Sequence, residues 1–89
     1  MRAIVTVIGK DRIGIIAGIS SILAKCTVNI LDISQTTMQE VFTMVMLLDI
    51  SGLCVPFETL SEQLEGEGKN MGLSVKIQHE SVFNSMHRV

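Results

Sequence analysis

The chain is poor in aromatic and charged residues. It contains three Phe, no Trp and no Tyr, and charged residues make up only 18% of its 89 positions, below the usual ~25%. The net charge is −2, and the seven Lys and Arg residues form no basic block. Direct nucleic-acid binding relies on a basic face or on aromatic rings that stack on bases. We therefore expect no direct contact with nucleic acid.

Long apolar runs are also absent. No run approaches the ~18 residues that a membrane span requires, and the early Ile-Val-Thr-Val-Ile segment has the character of a strand rather than of a signal peptide. The sequence predicts a cytoplasmic protein without membrane contact. Cys26 and Cys54 form no Cys-x-x-Cys motif. They are expected to be buried thiols in a reducing compartment, and a disulfide is the alternative.

Hydrophobic periodicity divides the chain into six elements. The predicted elements are a strand over 2–8, a helix over 12–26, strands over 28–38 and 41–50, a helix over 56–71 and a strand over 73–79. Asp11 is the expected N-cap of the first helix. The imperfect alternation of 28–38 predicts a bulge near Asp32, and Gln39 and Glu40 are expected to form the following turn.

This order predicts an α+β, ferredoxin-like βαββαβ domain with a four-stranded antiparallel sheet and two helices on one face. The expected domain covers residues 1–79. Residues 80–89 form an extension whose apolar positions favour a short amphipathic C-terminal helix. Those apolar positions are Val82, Phe83, Met86 and Val89.

Two of the predicted elements carry more apolar surface than one small core can cover. The first helix has two apolar stripes. One contains Ile13, Ile16, Ala17, Leu23 and Ala24, and the other contains Ile15, Ile19, Ile22 and Cys26. Strand 41–50 is apolar on both faces, with Met44 and Met46 expected inside. A homodimer or a higher oligomer is therefore expected, with a further protein partner as a possibility.

No arrangement of residues in the sequence indicates an enzyme. The acidic residues are scattered, and His79 and His87 have no third potential metal ligand nearby in the sequence. We expect no catalytic residue, no metal site and no cofactor.

The segment Gly-Lys-Asp-Arg-Ile-Gly-Ile-Ile, residues 9–16, separates the first strand from the first helix. It lacks the Lys-Ser/Thr pair of a phosphate-binding loop. The backbone N–H groups that begin a helix have no intrahelical partner, and the helix dipole favours an anion there. Gly14 would let a small carboxylate approach closely. The alternative is a plain strand-to-helix connection.

These residues resemble the start of an ACT domain. That family carries Asp-Arg-Pro-Gly-Ile/Leu after its first strand, then Asn-Ile and an acidic residue on the second strand. The matching positions here are Asp11-Arg12-Ile13-Gly14-Ile15 and Asn29-Ile30 with Asp32. The likeness covers residues 1–79, and Ile13 stands where proline is usual. The tail is similar to that of small free-standing ACT proteins, and the chain also resembles the ACT domains of the glycine cleavage system transcriptional repressor.

The resemblance implies a non-catalytic regulatory module that binds an amino acid or a related metabolite and acts as a homo-oligomer. The ligand-binding residues that it implies are Lys10, Asp11, Arg12, Ile13, Gly14 and Ile15 in the loop, with Asn29 and Ile30 on the second strand. The alternative function is a protein–protein interaction module with a vestigial ligand site. A small enzyme is a third and weaker alternative.

Overall fold

Four antiparallel strands and two helices form the structure. The computed structural model describes residues 1–10 and 13–82. Its elements are β1 (Arg2–Lys10), α1 (Ile15–Lys25), β2 (Asn29–Met38), β3 (Val41–Asp49), α2 (Phe57–Asn70) and β4 (Leu73–His79). The strand order across the sheet is β2-β3-β1-β4. The predicted ferredoxin-like α+β fold is confirmed.

β1 lies in the middle of the sheet between β3 and β4. It pairs antiparallel with both, so that Lys10 lies opposite Val41 and Gly9 lies opposite Leu73. β2 pairs antiparallel with the other side of β3 and forms one edge of the sheet. The loop after Lys10 therefore leaves the sheet at the end where β2 finishes and β3 begins.

The core lies between one face of the sheet and the two helices. Alternate residues of β1, β3 and β4 are buried there, as the period of two in strands requires. From β3 these are the predicted set of Phe42, Met44, Met46 and Leu48, and Ile50 just after the strand is buried too. α1 and α2 contribute Ile15, Ile19, Leu23, Leu60 and Leu64 to the same cluster.

β2 contains the bulge that the sequence predicts. Ile30 pairs with Leu48 and Asp32 pairs with Leu47, so that Leu31 is the extra residue of β2. The Asp32 carboxylate accepts a hydrogen bond from the Ile33 backbone N–H at 2.9 Å. The predicted turn at 39–40 is also present, with Gln39 at a φ of 57°.

The prediction of the start of α1 is wrong. The helix begins at Ile15, and its N-cap is Gly14 rather than Asp11. Gly14 has a φ of 92°, in the left-handed region that glycine occupies without the steric cost of a Cβ. The left-handed turn sets the direction in which the helix leaves the loop, so the helix starts three residues later than predicted.

The two predicted stripes of α1 are also partly wrong. Leu23 is buried together with Ile15 and Ile19, whereas Ile13 is fully exposed and Ile16 is largely exposed. Leu23 lies at the margin between the two stripes on the helix, about 80° from Ile15. A single stripe therefore faces the sheet, and the stripe around Ile16 and Ala17 faces outward.

α2 follows the predicted pattern with Leu60 and Leu64 buried. Pro56 occupies the N-cap position rather than the first turn. Gly68 is buried against β4, where a Cβ would lie 2.5 Å from Val75 Cγ2 and 3.1 Å from the Leu73 carbonyl oxygen. Glycine inside a helix lowers helix propensity, and at this position it permits close packing of α2 on β4. Gly72, with a φ of 72°, ends the helix as predicted.

The opposite face of the sheet carries partly exposed apolar side chains in the described part of the chain. Ile8 and Val41 are exposed, and Val45 and Leu47 are half-buried. β2 differs from the other strands because it is exposed on both faces over almost its whole length. Leu31, Ile33 and Met38 all lie on this strand and are exposed.

The described part of the C-terminal extension is helical at residues 80–82. The Arg2 guanidinium forms an ion pair with the Glu80 carboxylate, with an Nη2–Oε2 distance of 2.9 Å. The predicted apolar positions Phe83, Met86 and Val89 and the imidazole of His87 lie outside the described residues. Within residues 1–10 and 13–82, no helix is long and apolar enough to cross a membrane.

The prediction of two buried thiols is half right. Both cysteines are free, Cys26 is buried, and Cys54 is exposed. Cys54 lies in the irregular segment that links β3 to α2, and its side chain is not part of the core.

Candidate functional site

The loop between β1 and α1 presents the start of a helix to open space. The Gly14 carbonyl oxygen accepts the first helical hydrogen bond, from the Gly18 N–H at 2.9 Å. Among the described residues no side chain caps the helix, and no acidic residue lies in its first turn. The N–H groups of the first turn have no intrahelical acceptor, so they are available to a ligand.

The electrostatic potential at this point favours an anion. The N-terminal end of a helix carries a partial positive charge of about half an elementary charge. Acidic side chains often offset that charge, but the first turn of α1 has none. The Lys10 side chain is exposed at the end of β1, and the alternation of the strand puts it on the sheet face opposite to the helices. A carboxylate is the simplest ligand that fits such a position.

The surroundings of Gly14 leave room for a ligand. A Cβ built on Gly14 meets no other atom within 4 Å among the described residues. Ile13 on one side is fully exposed, and Ile15 on the other is buried in the core. The helix start is therefore anchored through Ile15 while the residue before Gly14 reaches into solvent.

The structure describes only part of the predicted loop site. Lys10, Ile13, Gly14 and Ile15 lie together between β1 and α1. Asp11 and Arg12 lie outside the described residues. The role of all six loop residues in ligand binding stays a prediction.

Asn29 and Ile30 do not lie near this loop within one chain. They open β2 and pair with Asp49 and Leu48, and Asp49 lies opposite Arg2 in β1. Lys10 is at the other end of β1, which has nine residues, so the two positions are separated by roughly 26 Å at a rise of ~3.3 Å per residue. The antiparallel order predicted from the sequence already implies this separation.

Asn29 and Ile30 instead line a cavity between α1 and the start of β2. Its volume is 540 Å³, and its helical wall consists of Ala17, Ser20, Ser21, Leu23 and Ala24, with Val28 beside Asn29. Most of these α1 residues have short side chains, which leaves space between the helix and the start of β2. Part of this wall is the outward stripe of α1, which belongs to the excess apolar surface from which an oligomer is predicted.

A larger groove lies between the two helices. Its volume is 640 Å³, and charges of both signs line it, from Lys25, Lys69, Glu62 and Glu67. Gly18 lets the two helices approach each other closely at this groove, because a Cβ there would lie 2.7 Å from a Glu67 carboxylate oxygen. The sequence does not indicate this groove, because it depends on how closely α1 approaches α2.

The described histidine takes part in packing. The His79 ring stacks on Phe57, with ring centroids 4.1 Å apart and 18° between the planes. Among the described residues, no three His, Cys, Asp or Glu side chains come together in a way that could hold a metal ion.

Comparison with known proteins supports the resemblance read from the sequence. A family model described as ACT domain matches residues 2–78. A UPF0237 protein of Clostridium acetobutylicum is 61% identical over 89 residues, which cover 100% of both chains. The predicted likeness to small free-standing ACT proteins is thereby confirmed.

Solved structures agree. An ACT domain protein from Streptococcus pneumoniae is 40% identical, with a TM-score of 0.79 over 93% of each chain. A structure named as a putative glycine cleavage system transcriptional repressor is 24% identical, with a TM-score of 0.70, and the match covers 86% of this chain and 44% of that one. At that identity the second likeness concerns the fold.

Proposed function

Because the chain belongs to the ACT domain family of regulatory ligand-binding modules, we propose that it is a non-catalytic sensor of an amino acid. The ligand binds with its carboxylate at the start of α1. Residues 1–79 are the sensing domain, and residues 80–89 are an extension that communicates with a partner.

The local geometry of Gly14 is the observation that carries this proposal. Its left-handed conformation starts the helix at Ile15, and no side chain among the described residues caps the first N–H groups of α1. An α-carboxylate accepts two or more such hydrogen bonds and is further stabilised by the helix dipole. The side chain of the amino acid would then lie along the exposed faces of Ile13 and Ile16.

The proposed assembly is a homodimer formed through β2. This edge strand is exposed on both faces, it carries unpaired backbone groups along its outer side, and Leu31, Ile33 and Met38 are exposed along it. Such an edge is a template for pairing with another strand. Pairing with a second copy would extend the sheet from four strands to eight.

Antiparallel pairing of two β2 strands also gives Asn29 and Ile30 a role. Asn29 of a second copy would lie beside Met38, which pairs with Val41, which in turn pairs with Lys10. Met38 and Lys10 are two strand spacings apart, or about 9–10 Å. Asn29 of the second copy would then lie three strand spacings, or about 14 Å, from Lys10, nearer than within one chain.

Signalling follows from linkage between the ligand and the dimer. A ligand that contacts both copies binds one dimer geometry better and shifts the population toward it. A protein partner that recognises that geometry then responds to the concentration of the amino acid.

An interaction module without a working ligand site is the second candidate. The observation that favours it is Ile13, which replaces the usual proline of the family and is fully exposed, so that its side chain stands in the approach to Gly14. Such a module would dimerise in the same way and would not respond to any amino acid.

A thermal unfolding scan against the standard amino acids at millimolar concentration tests the proposal. A ligand at 100 times its Kd stabilises the folded state by about 2.7 kcal/mol. For a domain of this size that corresponds to a rise in Tm of roughly 10–20 °C. We expect one or two amino acids to give a selective shift.

The variant Gly14→Asp places a carboxylate where the ligand carboxylate would bind, and it should abolish the shift. Gly14→Asn is the matched control, since Asn has the same shape, carries no charge and tolerates the same left-handed conformation. It should keep a measurable part of the shift. If no amino acid changes the Tm of the wild type, the sensor is excluded and the interaction module takes its place.

A further inference from the structure

The fold brings the two cysteines to one place although they lie 28 positions apart in the sequence. Cys26 is the C-cap of α1, and Cys54 lies in the segment between β3 and α2. The Cys54 backbone N–H donates a hydrogen bond to the Cys26 carbonyl oxygen at 3.1 Å. This bond joins the end of α1 to the segment that leads into α2.

The hydrogen bond limits how far apart the two residues can be. With standard backbone bond lengths, an N–O distance of 3.1 Å holds the two Cα atoms within about 7 Å. Disulfides in proteins have Cα–Cα distances of about 4.4–6.8 Å. The backbone separation of the two residues therefore allows a bridge, which forms when their side chains turn toward each other.

The two thiols differ in their exposure to solvent. The Cys54 side chain is exposed, and its thiol faces the Lys25 carbonyl oxygen at 3.6 Å. The Cys26 thiol is buried and faces the Gln63 side-chain oxygen at 3.8 Å. Burial, and secondarily the neighbouring Cys54, raises the pKa of Cys26. An oxidant from solvent therefore reaches Cys54 first, and Cys26 is placed to react second.

We propose that Cys26 and Cys54 are a reversible modification site that forms an intramolecular disulfide when the protein meets a peroxide. The Cys54 thiolate attacks one peroxide oxygen, the O–O bond breaks, and the leaving hydroxide takes up a proton to become water. Cys54 is then a sulfenic acid. The Cys26 sulfur attacks the Cys54 sulfur, the S–OH bond breaks, and a second water leaves with the Cys26 proton. Two thiols are oxidised and one peroxide is reduced.

The bridge would alter the mobility of both helices. It would join the last turn of α1 to the segment before α2 by a covalent bond and close a loop that contains β2 and β3. It would also draw the Cys26 sulfur away from Gln63 in α2. A disulfide that closes a loop of this length stabilises mainly by restricting the unfolded chain.

The test exposes the native wild-type protein to hydrogen peroxide and counts free thiols by alkylation under denaturing conditions and intact mass. We expect two alkyl groups before oxidation, none after it with a mass loss of two hydrogens, and two again after dithiothreitol. Peptide mapping without reduction should give one cross-linked peptide pair within one chain. The Tm of the oxidised protein should rise by on the order of 10 °C.

Three further samples make the result specific. Cys26→Ser should leave Cys54 as a trapped sulfenic acid, and Cys54→Ser should leave Cys26 reduced. Native wild type should form the bridge at least about tenfold faster than protein unfolded in urea, because the fold holds the sulfurs close together.

Two results would overturn the proposal. One is an alkylatable Cys26 beside a Cys54 oxidised to the sulfinic acid in the wild type. The other is a cross-link that forms only between two chains.

Discussion

The ring of His79, the last residue of β4, lies stacked on the ring of Phe57, the first residue of α2, with 4.1 Å between their centroids. The pair joins the N-terminal end of α2 to the end of the sheet. Phe57 is also one of the partly buried residues that pack against the core cluster. Its side chain therefore contributes to stability both through burial and through the stack.

A double-mutant cycle on this pair separates the two contributions. We expect Phe57→Ala to lower the free energy of unfolding by about 2–3 kcal/mol, since Phe57 is only half-buried, and His79→Ala to lower it by about 1 kcal/mol. The coupling energy should be about 0.5–1.5 kcal/mol. Urea unfolding of the four proteins measures it, and additive effects would show that the stack itself adds nothing.

Two glycines of α2 give a second prediction with a built-in control. A Cβ at Gly68 would lie 2.5 Å from Val75 Cγ2 and 3.1 Å from the backbone oxygen of Leu73, whereas a Cβ at Gly66 meets nothing within 4 Å. Gly68→Ala should therefore destabilise the protein by about 1–3 kcal/mol. Gly66→Ala should stabilise it by up to about 1 kcal/mol through helix propensity. Chemical denaturation of both variants decides, and equal effects would contradict the close packing of α2 on β4.

Acid stability should depend on Asp49. The Ser51 hydroxyl at 2.7 Å and the Ser51 backbone N–H at 3.0 Å donate to its carboxylate, and they lower the pKa of Asp49, with a smaller effect from the N-terminal ammonium. A carboxyl whose pKa is lowered by folding stabilises the folded state above its unfolded pKa of about 3.9, and this contribution is lost as the pH falls through the lower, folded value.

We therefore expect wild type to lose more stability than Asp49→Asn between about pH 5 and about pH 2. Ser51→Ala should show an intermediate loss, because it removes the hydroxyl donor and keeps the backbone one. Thermal unfolding across this range measures the difference. Identical pH profiles for wild type and Asp49→Asn would contradict the assignment.

The proposed dimer gives a fourth prediction. Ile33 is exposed in the middle of β2, and a lysine there places a charge in the contact between two copies, as natural edge strands do to prevent pairing. We expect Ile33→Lys to be monomeric by analytical ultracentrifugation at concentrations where the wild type is dimeric. Ser74→Lys, on the exposed face of β4 at the other edge of the sheet, is the control and should remain a dimer. A dimer that survives Ile33→Lys would move the interface away from β2.

The fold could be predicted from the sequence because its local signals agree with one another. The strict alternation of apolar residues in β3 indicates a strand. The glycine after α2 indicates the end of a helix, and the apolar pairs on either side of Asp32 indicate a bulge. The start of α1 was harder, because Asp11 is a good N-cap by residue type. A left-handed Gly14 takes that position three residues later, and the sequence does not show which of the two turns the chain adopts.

The candidate site was only partly predictable for a different reason. A resemblance to a family motif predicts which residues form a site together. It does not show whether these residues come from one chain or from two. Gly14 and Asn29 lie toward opposite ends of the sheet, which the antiparallel order implies once the strands are paired. The proximity of Cys26 to Cys54 depends on the path of an irregular segment, and no periodicity in the sequence predicts it.

The order β2-β3-β1-β4 has a consequence for synthesis of the chain on the ribosome. β1 leaves the exit tunnel first, yet its two neighbours are β3 and β4, and β4 spans residues 73–79. This central strand therefore has no partner on one side until β4 has been synthesised. Until β4 pairs with it, β1 presents a row of unpaired backbone N–H and C=O groups along one edge, so the last strand in chain order completes the pairing of a central one.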